Sequence, residues 1–295
     1  MRQLLPGQRC EVWVASISGD KKLVYAAGNL LLEAPNWTAD GEALILNGDG
    51  RLWRYDLPDG SLTEVPLTDV PDLNNDHVLA PDGSTIFLSG EDGHIYRALL
   101  AGGRATRVTN DDGSSHFLHG VSPDGRRLAY VDIEDGDFTR PGRLKTIPAA
   151  GGPACRLEVG DGHCDGPEYS PGGDWLYLNT ESFSTAPGHA QLARVRTDGS
   201  SFEQLVHSST IDWFPHLSPD GRLASYLRFP AGTQGHPADL PVEVVLVSAS
   251  DWTAPLHTWP VFGGQGTLNV NSWSPDSQRF AYIAYPMETQ ATGAG

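Results

Sequence analysis

Apolar residues along this chain come in short alternating runs, each cut by a turn rich in Pro, Asp and Gly. Val121-Ser122-Pro123-Asp124-Gly125-Arg126-Arg127-Leu128-Ala129-Tyr130-Val131 shows the unit: a strand end, a tight turn, then a half-buried strand with Leu128 and Tyr130 at period two. Pro at the second turn position presets φ, and Gly suits the fourth. The same turn recurs at Thr38-Ala39-Asp40-Gly41, Ala80-Pro81-Asp82-Gly83, Ser170-Pro171-Gly172-Gly173, Ser218-Pro219-Asp220-Gly221 and Ser274-Pro275-Asp276-Ser277. The copies are spaced by about 42 to 56 residues, the period of four-stranded propeller blades. A second set of turns, Leu57-Pro58-Asp59-Gly60, Ala101-Gly102-Gly103, Ala150-Gly151-Gly152 and Thr197-Asp198-Gly199, reads as hairpins between later strands.

Lettered A to D from the inside out, the strands of the third unit are predicted at 116–121, 127–132, 143–148 and 153–158. The ends are complementary. After the sixth turn only strands A and B remain, at 269–274 and 279–285, while 11–16 and 22–26 ahead of the first turn read as strands C and D. The pattern therefore predicts an all-β fold: one six-bladed β-propeller over residues 1–287, with antiparallel blades of four strands. The N-terminal strands complete the last blade and so leave no open sheet. Residues 288–295, without an apolar anchor, are expected to form a disordered tail.

The repeated Ser-Pro-Asp-Gly turn, with an aromatic residue ahead of it in Trp273-Ser274-Pro275-Asp276, resembles the WD40-like (PD40) repeat of TolB-type propellers across about residues 10–286. That resemblance implies the six-bladed fold and a role in binding protein partners, as the TolB propeller does at the cell envelope. It also brings in related propellers: those of oligogalacturonate lyases, which hold a His-bound metal, and those that precede the hydrolase domain of prolyl-oligopeptidase-type peptidases. One fold hosts many functions, so the likeness carries architecture further than activity.

Composition narrows the classes. Hydrophobic residues at 39% suffice for a core, but the longest apolar runs, such as 242–247, are strand-sized, so no membrane insertion is expected. A net charge of −17 without a basic stripe argues against nucleic acid as a partner. Residues 1–10 lack the apolar core of a secretory signal, which reads as cytoplasmic, or as periplasmic for a chain whose signal has been removed. Cys10, Cys155 and Cys164 do not form a disulfide framework. Cys155 is expected in a strand core, and Cys164 has a site context beside His163. No Gly-x-Ser-x-Gly, Walker, His-Glu-x-x-His or Cys-x-x-Cys motif occurs.

Candidate chemistry gathers in the segments leading into the A strands, which line the tunnel. His77 and His119 stand at one position relative to the turn, and Glu168 and His216 at the next. His116, His163, Asp165, Asp212, Trp213 and Asn271 lie close by in sequence. Equivalent positions should converge as a ring at the tunnel mouth. Three readings stay open there. The groups are a wet polar lining; or, with Phe117, Trp213 and Phe214 as anchors, a surface for a peptide or protein; or imidazoles that with Glu168 hold a divalent metal such as zinc or manganese. The corresponding functions are a non-enzymatic binding module, or a metal-dependent lyase or hydrolase acting on a small molecule or saccharide. Long B-to-C loops at 134–143, 181–190 and 230–241 are expected to raise a rim over this face. Histidines near carboxylates are expected to titrate near neutrality.

Overall fold

The turns set the geometry because their side chains replace missing backbone partners. The hydroxyls of Thr38, Ser122, Ser218 and Ser274 donate to the turn aspartates Asp40, Asp124, Asp220 and Asp276 at 2.5–2.7 Å. Each of these carboxylates also accepts the backbone N–H two residues on, at 3.0–3.1 Å. Four of the six A-to-B connections are thereby held as tight, pre-paired corners.

The protein is described here by a computed structural model covering residues 2–287; the expected tail at 288–295 lies outside the described residues. Six antiparallel sheets surround a central tunnel. Strands A to D of blade one are Glu33–Trp37, Ala43–Gly48, Arg51–Asp56 and Leu62–Glu64. Blade two has Leu73–Leu79, Thr85–Gly90, Ile95–Leu99 and Thr106–Arg107. Blade three has Ser115–Val121, Arg127–Ile133, Arg143–Pro148 and Cys155–Arg156. Blade four has Cys164–Tyr169, Trp175–Thr180, Gln191–Arg196 and Glu203–Gln204. Blade five has Ile211–Leu217, Leu223–Phe229, Ala238–Ser248 and Asp251–Gly264. The outermost strand of blade three is only two residues long, so Cys155 is exposed rather than in a strand core, a correction to the sequence reading.

Blade six closes the ring as expected. Cys10–Ser16 pairs with Arg279–Ala284, from Glu11 opposite Ala284 to Ser16 opposite Arg279, and Lys21–Ala27 pairs outside it. Its innermost segment does not form the regular strand expected at 269–274 and makes only the bridge Trp273–Phe280. The reason is local competition for backbone groups. Asn269 and Asn271 accept the N–H groups of Gly266 and Trp273, at 2.8 and 3.0 Å, and Ser272 Oγ donates to the Ala281 carbonyl at 2.6 Å. Strand D of blade five reaches across this junction. Trp259 Nε1 donates to Gly19 O at 3.1 Å, and the Phe262 carbonyl accepts the Tyr285 N–H at 2.7 Å. The apolar core lies between blades, as at Trp259, Trp273, Phe280 and Tyr282. Among the described residues no helix is long and apolar enough to cross a membrane.

Candidate functional site

The three long B-to-C loops rise over one end of the tunnel and contribute Phe138, Glu181 and His236 to a cavity of about 730 Å³. One wall is apolar, made by Phe117, Val131, Ile133 and Phe138; the Phe138 ring is 71% exposed and packs on Phe117 with centroids 5.9 Å apart. The other side is polar, with Asn75, Asp76, His119, His163, Asp165, Gln265 and Asn269.

Bulges in the A strands aim these side chains. The register shifts between Leu118 and Gly120, between Asp165 and Glu168, and between Trp213 and His216. Phe214 takes a φ of 55°, a left-handed conformation that costs a side-chain-bearing residue energy. It is held there by its N–H on Asn179 Oδ1 of the neighbouring blade (3.1 Å) and by its ring against His119 (centroids 5.8 Å apart).

Asp165 is the hub. Its carboxylate meets His119 Nε2 at 3.0 Å and the Nε2 atoms of His163 and His236 at 3.7 Å each. His163 Nδ1 accepts the Gly142 N–H at 2.8 Å, which places that ring's proton on Nε2, toward Asp165. His236 Nδ1 bonds Gln265 Oε1. Burial alone would raise Asp165, but hydrogen bonds from His119 and His163 hold it well below the usual carboxylate range. Burial opposes the charged form of His119, yet Asp76 and Asp165 more than offset this and raise it to about 9. Burial drives Asp76 up to about 7 against the pull of His119, and burial keeps His236 low despite Asp165. Near neutral pH the mouth therefore carries a His119–Asp165 ion pair and Asp76 titrates there, while His163, against the opposing effect of burial, is raised above its ordinary 6.5 by its hydrogen bond to Asp165.

The single ring expected from equivalent positions divides. His119, His163, Asp165 and Trp213 line the cavity. Glu168, His216 and Asn271 form a closed network apart from its lining: His216 Nδ1 lies 2.6 Å from Glu168 Oε2, and Glu168 Oε1 accepts Asn271 Nδ2 at 2.8 Å and the Leu217 N–H at 3.0 Å. His77 turns to the Ile45 carbonyl, and burial lowers it to about 4. Asp212 is buried among Ser208, Gln191 and Arg228. His116 sits outside the mouth, with Asp112 and Asp132. Trp213 is 1% exposed, so its indole belongs to the core as much as to the mouth. Cys164 is buried against Thr180, and burial pushes its thiol up to about 11, far from a reactive thiolate. His236, Gln265 and Phe138 escaped the sequence reading; loop length marked two of their segments, but period-two patterning cannot place a loop side chain.

The mouth does not gather three ligand atoms into a metal-sized group. Among the described residues, the His, Cys, Asp and Glu side chains whose ligand atoms all lie within 4.8 Å of one another are Asp112, His116 and Asp132, away from the cavity.

No family profile matches the chain. It is 39% identical over 264 residues to an uncharacterized protein of Agrobacterium fabrum, covering 88% of this chain and 86% of that one. A solved structure from Agrobacterium tumefaciens, assigned as TolB, superposes with a TM-score of 0.86 at 36% identity, over 95% of this chain and 99% of that one. An oligogalacturonate lyase in complex with manganese shares the fold, with a TM-score of 0.55 at 14% identity, over 92% and 70% of the two chains. With six closed blades, the repeated Pro-Asp-Gly corner and the likeness to the two Agrobacterium proteins over most of their length, the chain belongs to the TolB-like family of six-bladed β-propellers.

Proposed function

We propose that this chain is a non-enzymatic binding module that takes a peptide, or an extended segment of a protein partner, into the tunnel mouth. The observation that carries this reading is the two-sided cavity: an aromatic wall of half-buried Phe117 and exposed Phe138 faces fixed charges and amides at Asp165, His119, Asn75 and Gln265. Apolar side chains of a peptide suit the first side, and its backbone suits the second. The Trp213 indole N–H adds to this, because it is buried at the cavity and has no acceptor, leaving a donor for a ligand carbonyl. The cavity brings together no recognisable nucleophile and base. The lyase reading rests on a likeness of fold alone.

A library of immobilised peptides, probed with the purified chain, tests the proposal. Retention of a defined peptide set that is lost with both Phe138→Ala and Asp165→Asn, at unchanged melting temperature for Phe138→Ala, supports it. No retained peptide, or retention indifferent to both substitutions, overturns it.

A further inference from the structure

We infer that Asp112, His116 and Asp132 form a divalent-metal site at the seam of blades two and three, with the Lys145 ammonium as its resident stand-in. His116 and Asp132 face each other directly across strands A and B of blade three, and Asp112 lies in the connection from blade two. His116 Nε2 is 3.2 Å from Asp112 Oδ1 and 3.4 Å from Asp132 Oδ1. Those separations match the edge of a tetrahedron whose bonds are about 2.0–2.1 Å, the length of zinc–imidazole and zinc–carboxylate bonds.

A second observation points the same way. The His116 side chain is 1% exposed; its Nε2 touches both carboxylates without hydrogen-bond alignment to either, and its Nδ1 has no hydrogen-bond partner. A buried imidazole nitrogen held between two carboxylates with poor hydrogen-bond alignment is costly unless a proton on the ring or a bound cation completes it. Lys145 fills part of that need: its Nζ lies 2.9 Å from Asp132 Oδ1 and 4.0 Å from Asp112 Oδ2. Its reach is partial, and as a flexible side chain it can withdraw to water. The ring is held in place by the edge of Tyr130, with centroids 5.3 Å apart, and by His94 at 5.8 Å. Asp112 is 39% exposed and gives an ion a way in, with water free to take a fourth position. One imidazole and two carboxylates suit a borderline ion, Zn²⁺ or Mn²⁺. This site stands independently of the peptide reading of the mouth.

Calorimetric titration of ZnCl₂ and MnCl₂ into tag-free, chelator-treated protein tests it. The expected result is one equivalent bound, with affinity reduced at least about tenfold by Asp112→Asn and by His116→Ala. Lys145→Met, which removes the competing ammonium, tightens binding, an effect adventitious surface carboxylates would not give. Asp112→Asn, on a partly exposed side chain, keeps the test valid should His116→Ala fail to fold. No stoichiometric uptake by wild type and Lys145→Met, or uptake abolished by His119→Ala and untouched by Asp112→Asn, overturns the assignment.

Discussion

Trp213 serves core and cavity with one side chain. Its indole packs with Phe214 and Phe229 in the seam of blade five, and its ring also contacts His236 at 4.4 Å between centroids. Trp213→Ala is therefore expected to cost about 3–5 kcal/mol of stability, read as a lower midpoint in urea, because it opens a cavity among buried rings. Trp213→Phe keeps most of the packing and removes only the free N–H, so it should weaken peptide binding with a much smaller change in melting. The mouth charges make a second prediction. Deprotonation of Asp76 near pH 7 adds a negative charge beside His119, Asp165 and Glu33, so binding of a basic peptide should strengthen as pH rises through about 7. Asp76→Asn should flatten that profile. Stability runs the other way for His119: its value of about 9 lies above the ordinary 6.5. Its stabilisation is full below pH ~6.5 and is lost as pH rises through about 9, a fall in melting temperature that Asp165→Asn should reduce. At this scale the sequence was a partial guide. His119, His163 and Asp165 were legible because they lead into inner strands. His77 has the same spacing as His119 and turns elsewhere, since the bulges, which no periodicity reveals, decide where each side chain points.

The corner turn is the element from which the rest follows. Ser218 Oγ donates to Asp220 Oδ1 at 2.7 Å and accepts the Leu223 N–H at 3.0 Å, with the serine wholly buried. Ser218→Ala leaves that N–H without its side-chain acceptor and should cost about 1–2 kcal/mol, measured by thermal or urea melting. The bond from Ser218 also holds the Asp220 carboxyl below its ordinary value. The stabilisation it brings is present above the unfolded value near 3.8 and disappears as pH drops through the lower folded value, in common with the other turn aspartates. These corners were legible residue by residue, because Pro, Asp and Gly act through local backbone geometry. The blade-three strands fell within about two residues of expectation wherever period-two runs were long. The inner strand of blade six was not legible as irregular, because Asn269, Asn271 and Ser272 fit an alternating pattern while their side chains compete for the backbone.

The molecule as a whole depends on one seam. Cys10–Ser16 supplies the strand that Arg279–Ala284 needs, and behind it Val12 and Cys10 join Leu32, Ala281 and Ile283 in a single core. Removing residues 2–27 should abolish cooperative folding, seen as loss of a sharp thermal transition and of a discrete gel-filtration peak, because Ile283 and Ala281 would face water beside an unpaired strand edge. Complementary ends made this closure readable from sequence, and loop length foretold the rim, though not which loop residues would face inward. The seam also fixes an order of events in time. The hairpin of Cys10–Ser16 and Lys21–Ala27 leaves the ribosome well before its partner strand Arg279–Ala284. Throughout synthesis that hairpin waits with an apolar edge uncovered while blades one to five assemble beside it. Closure should then fall late on the folding path, after the rate-limiting step. Val12→Ala, buried in the seam, is expected to accelerate unfolding while leaving the refolding rate nearly unchanged, a φ-value near zero in stopped-flow chevrons. That hairpin would thus act as the latch of the ring, the last part to engage and the first to let go.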